Sequence, residues 1–448
     1  MERTRELLFY VYVDSYILRE RERENIFKFC ELLRIYIYIE SEMYTRLIMT
    51  GNNATKCCSR FLVGRRAISH SNSDRGIKKY GKIPKVELHR HLEGSVRLST
   101  VLDLAKEHSI QLPHGTEGEM TDSSLLTLEG LRPNIQTLTP FSNLATLLAI
   151  FDHTQSCFKT VESQYRIAKE AVYDAYEEGI VALELRYAPS FVSVGHNHAF
   201  GDVLGAIESG IRDAVNDLEE RHGKRMGVGL LCIGVGAMGE DEMNRTVDFF
   251  LKNQDRFVGF DMAGAETNVA QFESQFRKVR DSGGRITCHA SEDRVDGKPE
   301  NALCAVKLLG AERIGHGIQI VRDEEIMRII RDHDVMLELS VTSNFLTNAV
   351  DTIKSHPARQ LWEFGIPMCV NTDDPGIMGI DLNHEYDIWA HDLGFEVRDL
   401  EAMNVMALSR SFLPKEVRER VYNDFFSDDN GNLENAAIEA RNVQLLGR

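Results

Sequence analysis

The chain has 448 residues, 43% of them hydrophobic and 27% charged, with a formal net charge of −17. That acidity argues against nucleic-acid partners, which require dense Lys and Arg patches, and no run of about 18 apolar, charge-free residues offers a membrane span. A water-soluble protein acting on small or weakly charged ligands is expected, and its eight scattered cysteines, none in a CxxC pair, read as reduced thiols of a cytosol-like compartment.

Residues 1–80 read as an N-terminal extension of unknown role. Up to Met49 the sequence is rich in Arg, Glu, Tyr and Ile, compatible with an amphipathic helix but without a chemical motif. From Met49 to Ser73 no acidic residue occurs, while Lys56, Arg60, Arg65 and Arg66 stand among small polar residues. That composition resembles an organellar transit peptide if translation starts near Met49, and otherwise a basic linker. Cytoplasmic location is the expectation, with organellar targeting as the alternative.

Residues 81–448 read as one barrel domain with closing C-terminal helices. Short apolar runs alternate with segments of helical periodicity, the pattern of repeated strand–helix units and a parallel sheet. The expected strands are Val86–His91, Ile180–Tyr187, Met226–Ile233, Phe257–Met262, Arg285–His289, Arg313–Gly317, Val335–Ser340 and Pro367–Thr372. Eight such units in one domain point to an α/β TIM (β/α)8 barrel. The segments LSTVLDLAKEH and TVESQYRIAKEAVYDAYEEG make a helical insertion after the first strand, placed to cover the barrel mouth. DLEAMNVMALSRSFLPKEVRERVYNDFF reads as helices broken at Pro414.

In VELHRHLEG, His89 and His91 are two apart on a strand, so both face the barrel interior. Strand five ends in Cys288-His289 and runs on to Glu292; strand six ends in Gly315-His316-Gly317; strand eight runs into Asp373-Asp374-Pro375-Gly376. Each motif alone has an ordinary structural explanation, a satisfied histidine, a tight turn or a helix cap. Together they put His or Asp at the C-terminal ends of four strands, the rim where this architecture keeps its active site. Strand four ends in Phe260-Asp261-Met262-Ala263-Gly264-Ala265-Glu266, without the lysine that would bridge two metals, so one metal per chain is expected. Three histidines and one aspartate suit Zn2+ with room for a water.

The ordered motifs PKVELHRHLEGS, ALELRYAPS, GFDMAGAE, CHASED, RIGHGI, ELSVTSNFLT and VNTDDPGI resemble the adenosine deaminase family over about residues 83–425. The resemblance implies zinc ligands at His89, His91, His289 and Asp373, a proton donor at Glu292, and a hydroxide-orienting pair at His316 and Asp374. It implies substrate contacts at His91, Glu93, the backbone of Gly264 and Asp374. The implied reaction is hydrolytic deamination of a 6-aminopurine nucleoside, adenosine or 2′-deoxyadenosine, to the 6-oxopurine and ammonia. Oligomeric state is not implied.

Three departures stand out. Ser291 replaces the glycine of many members, Ser340-Val341 replaces Cys-Pro, and Glu93 replaces the aspartate of adenosine-specific members. HLEG is similar to members acting on adenine or aminodeoxyfutalosine. A binuclear amidase or dihydroorotase relative would need the missing lysine. A growth-factor-like relative would fit the extension but not the filled catalytic positions.

Overall fold

The computed structural model describes residues 80–446, apart from 138, 142–143, 194–195, 197, 265, 267–268 and 428–430, with backbone alone for 144–149. The amphipathic and transit-like readings of residues 1–79 lie outside the described residues. The described residues fall within one compact unit.

Eight parallel strands form the frame: β1 (Lys85–His91), β2 (Ile180–Tyr187), β3 (Gly227–Val235), β4 (Gly259–Ala263), β5 (Thr287–Ala290), β6 (Arg313–His316), β7 (Met336–Leu339) and β8 (Met368–Val370). They pair in two four-stranded arcs, β1-β2-β3-β4 and β5-β6-β7-β8. Parallel bridges Arg90↔Asp373 and Phe260↔Ile286 join the arcs and close the sheet into a barrel. At one seam His91 N–H donates to Asp373 O (2.9 Å) and Asp373 N–H to His89 O (3.1 Å); at the other Phe260 N–H donates to Arg285 O (2.8 Å). The eight expected strands are all present in order, with ends that match or shift by one or two residues in either direction. Every residue of β2 (IVALELRY) is buried, as expected of a strand covered by side chains inside and helices outside.

The insertion after β1 divides into two parts. Gln136, Thr137 and Phe141 lie across the segments that follow β7 and β8: Thr137 N–H donates to Ile377 O and Phe141 N–H to Leu346 O, both at 2.8 Å, and Gln136 Nε2 donates to Gly376 O at 3.0 Å. The helix Val161–Glu177 belongs instead to the outer layer. Its buried Ile167, Ala168, Ala171, Val172 and Ala175 recur at helical spacing, and Thr160 caps it by accepting from Ser163 N–H. A hairpin of two three-residue strands, Leu112–His114 and Glu119–Thr121, was not expected, because strands this short carry no readable alternation. The break at Pro414 separates helices Val397–Arg410 and Lys415–Phe425.

Most inward positions of this barrel are polar. Side chains of strands that are not neighbours meet across the interior: His89 of β1 with Glu338 of β7, Arg186 of β2 with Asp261 of β4, and Arg313 of β6 with Glu184 of β2. The apolar faces pack outward under the helices, and the interior is reserved for a charged network beneath the site.

Candidate metal centre and active site

β1 carries His89 and His91 to the C-terminal end of the barrel, β5 carries His289, and Asp373 follows β8. One ligand atom from each of these four residues lies within 4.8 Å of all the others, the group of metal-ligand type found among the described residues. His91 Nε2 and His289 Nε2 are 3.2 Å apart, and Asp373 Oδ1 lies 3.3 Å from His89 Nε2 and 3.2 Å from His91 Nε2. Such spacings suit atoms that share one ion at bonds of about 2.0–2.2 Å.

The residues behind this group prepare it for a cation. His89 Nδ1 lies 2.8 Å from Glu338 Oε2, and His289 Nδ1 lies 3.1 Å from Asp261 Oδ2. A carboxylate at Nδ1 holds the imidazole proton there and turns the Nε2 lone pair toward the shared point. His89 Nε2 is buried with no hydrogen-bond partner among the described residues. Arg186 joins Asp261 (2.8 Å) to Glu338 (2.7 Å), and Arg313 joins Glu338 (2.6 Å) to Glu184. Two arginines face three carboxylates in this buried row, leaving one excess negative charge, and Asp373 adds a second. A divalent cation balances both, so the donor set and its charge fit the metal that the sequence implies.

Around this point stand the other expected residues. Glu292 Oε2 lies 3.6 Å from His316 Nε2, which is 3.8 Å from Asp373 Oδ2. Burial, reinforced by the charges of Asp373 and Glu266, pushes the Glu292 carboxyl up to about 8. It therefore keeps its proton at neutral pH. Burial also holds His316 well below its usual range, so its ring is neutral. Asp374 is raised by burial and by Asp373, Glu93 and Glu292; its Oδ1 is buried without a hydrogen-bond partner among the described residues. A Cβ on Gly94 would fall 1.8 Å from that oxygen, and one on Gly315 would fall 2.7 Å from the His89 ring. Both glycines are demanded by close approach.

Ser291, His316 and Asp373 follow or end β5, β6 and β8 with φ of 56°, 61° and 67°. Non-glycine residues pay roughly 1–2 kcal/mol for the left-handed region, and three at one rim mark it as a functional surface. This explains the serine–glycine exchange. Ser291 stands where the backbone favours glycine, and its hydroxyl offsets the strain by donating to Lys298 O (2.7 Å) and accepting from Ala302 N–H (3.0 Å).

Gly264 follows β4 at the same end of the barrel. Glu93, expected to point into the mouth, turns toward the end of β2, where Oε1 accepts the Ala188 N–H at 2.7 Å. Its Oε2 is buried without a partner among the described residues, and burial pushes the carboxyl up to about 7. The sequence reading missed the supporting residues Glu338, Asp261, Arg186, Arg313, Glu266 and Asn344. Glu266 clamps the loop after β5 by accepting the backbone N–H groups of Ser291, Glu292 (2.8 Å) and Asp293 (3.0 Å). For the strand residues Glu338, Asp261, Arg186 and Arg313 the signal was charged residues at alternate positions of otherwise apolar strands, as in ALELR and MLEL.

A parallel eight-stranded barrel with three histidines and an aspartate converging at its C-terminal rim defines a metal-dependent hydrolase of the amidohydrolase type. More narrowly, the chain belongs to the adenosine deaminase family: the family's sequence model, described as "Adenosine deaminase", matches residues 84–426. The adenosine deaminase of Plasmodium gallinaceum is 32% identical over 349 residues, 78% of this chain and 92% of the relative. That of Klebsiella pneumoniae is 31% identical over 336 residues, 75% and 95% of the two chains. Among solved structures, an adenine deaminase from Arthrobacter aurescens has the same fold at TM-score 0.65 and 22% identity, covering 77% of this chain and 99% of its own. An N6-methyl-AMP deaminase from Arabidopsis thaliana does so at TM-score 0.65 and 23% identity, covering 79% and 99%. The protein is a hydrolytic deaminase. No described helix is long and apolar enough to cross a membrane.

Proposed function

We propose that the chain deaminates 6-aminopurine nucleosides, with adenosine and 2′-deoxyadenosine as substrates, using one zinc ion held by His89, His91, His289 and Asp373. The observation that carries this reading is the convergence of those four ligand atoms beside the buried carboxyl of Glu292. When bound, zinc supplies Lewis-acid activation of water at neutral pH. Glu292 delivers its proton to ring nitrogen N1 and makes C6 electrophilic. Asp374, whose carboxyl is raised in part by the charge of Asp373 that a bound cation offsets, accepts the proton of the water whose oxygen adds to C6, and His316 orients that oxygen. Asp374 passes that proton to the C6 amino group, the C6–N bond breaks and ammonia leaves, and the remaining proton of the added oxygen returns to Glu292, giving the 6-oxopurine protonated at N1. The Gly264 backbone and Glu93 bind the base and the sugar side.

The adenosine deaminases at 31–32% identity favour the nucleoside. Glu93 favours a second reading, adenine or aminodeoxyfutalosine, because its Oε1 is engaged by Ala188 rather than free for a 5′-hydroxyl. A panel of adenosine, 2′-deoxyadenosine, adenine, aminodeoxyfutalosine and AMP, followed by ammonia release, separates the two. The highest kcat/KM is expected for adenosine or its 2′-deoxy form; a higher value for adenine or aminodeoxyfutalosine would move the assignment.

A further inference from the structure

The helix Ala358–Phe364 begins with backbone N–H groups that have no partner within the helix. The N–H of Ala358 donates to His356 Nδ1 at 3.2 Å. A backbone amide only donates, so Nδ1 carries no proton. Burial pushes His356 down to about 3, so its ring is neutral and its single proton sits on Nε2. That N–H meets Asn344 Oδ1 at 3.1 Å, which settles how the Asn344 amide is turned. Its oxygen faces His356 and its NH2 faces the cleft, where Nδ2 lies 3.1 Å from His316 Nδ1 and 3.3 Å from Glu292 Oε1. The amide has one proton for each acceptor. His356 is 4% exposed and Asn344 fully buried.

We infer that His356 and Asn344 are positioning residues that set the tautomer of His316, with Nδ1 accepting from the Asn344 amide and the proton held on Nε2. The Nε2–H is directed into the cleft, toward Glu292 Oε2 at 3.6 Å and Asp373 Oδ2 at 3.8 Å. His316 therefore acts as a hydrogen-bond donor to the oxygen that adds to C6 and has no lone pair there to act as base. Proton acceptance falls to Asp374. The same amide occupies Glu292 Oε1 and leaves Oε2 as the oxygen that faces substrate. What the tautomer does rests on the deaminase reading; the tautomer itself follows from the hydrogen bonds alone.

The test compares the zinc-loaded, full-length protein, labelled with 15N-histidine, with Asn344→Asp, His356→Leu and His356→Gln. Nuclear magnetic resonance of the parent should show His316, assigned from the signals missing in His316→Gln, with a protonated Nε2 and a bare Nδ1. A carboxylate at position 344 accepts where the amide donated, so Asn344→Asp should move the proton to Nδ1. It should lower kcat by about 100-fold with KM within about threefold. His356→Leu frees the amide to turn over and should give both tautomers with about a tenfold lower kcat. His356→Gln, whose side-chain N–H can stand in for Nε2–H, should recover most of that loss. A protonated Nδ1 in the parent, or an unchanged tautomer in Asn344→Asp, would overturn the inference. The tautomer is read without substrate, so the expected tautomer in a protein that turns over no purine supports it while counting against the deaminase reading.

Discussion

Glu338 Oε2 lies 2.8 Å from His89 Nδ1, and the other oxygen of the same carboxylate takes the Arg313 guanidinium at 2.6 Å. One side chain thus orients a proposed metal ligand and neutralises an arginine inside the barrel. Glu338→Gln should weaken metal binding by about 10–100-fold, since the amide holds the His89 proton less firmly. It should also lower Tm, because Arg186 and Arg313 lose a buried counter-charge. Chelator competition and thermal unfolding measure the two effects; unchanged metal affinity would show that this contact does not tune the site.

His289→Ala should lose bound metal and turnover together, as removal of one of four ligands opens the site and its partner Asp261 cannot reach in from behind the ring. Elemental analysis alongside the assay decides the matter. Full metal occupancy with parental turnover would take His289 out of the ligand set.

Glu292→Gln should keep its metal and lose several orders of magnitude in kcat, since an amide cannot supply the N1 proton. The sign of the pH dependence follows from the raised carboxyl. Its proton is retained at neutral pH and lost as pH rises through about 8, so the parent's kcat/KM should fall on the alkaline side. That limb should be missing from the variant's residual activity. A variant within about tenfold of the parent would exclude the acid role.

In the proposed reading Glu93 stands at the sugar side of the cleft, with its buried carboxyl raised to about 7. Once Glu93 is ionised, above about pH 7, two like unit charges at about 4 Å cost on the order of 4 kcal/mol at an effective dielectric of about 20, so AMP should there be disfavoured against adenosine by hundreds-fold or more. Glu93→Asp withdraws the carboxylate from Ala188 N–H and leaves a buried donor unpaired, for about 1–3 kcal/mol of stability. The paired measurements are kcat/KM for adenosine, AMP and adenine in both proteins. AMP equal to adenosine in the parent would remove the electrostatic argument.

A chain beginning at Tyr80 should fold and turn over. Tyr80 is fully buried, stacks edge-on against Tyr386 at a centroid distance of 5.7 Å, and its carbonyl accepts the Lys85 ammonium at 2.8 Å. No candidate site residue precedes it. Insoluble or metal-free protein after the truncation would assign residues 1–79 a structural part.

The linear order of residues was enough to give the barrel, the eight strands and the seven rim residues with metal-ligating or acid–base side chains. Period-two alternation and strand–helix spacing are local properties that survive in one dimension, and ligands at strand ends can be read once the strands are placed. The tertiary structure alone decided what stands behind them. His89 meets Glu338 across 249 positions, and Arg313 meets Glu184 across 129, because barrel closure brings non-neighbouring strands face to face inside. No sequence period records such a pairing. The same holds for Glu93, whose alternation places it at the rim but not its carboxylate: the unpaired N–H of Ala188, exposed only where β2 ends beside β1, draws it aside. Asn344 and His356 lie on a short helix and a loop with no periodic signature, and only the hydrogen-bond donor at Ala358 gives their amide and imidazole a direction.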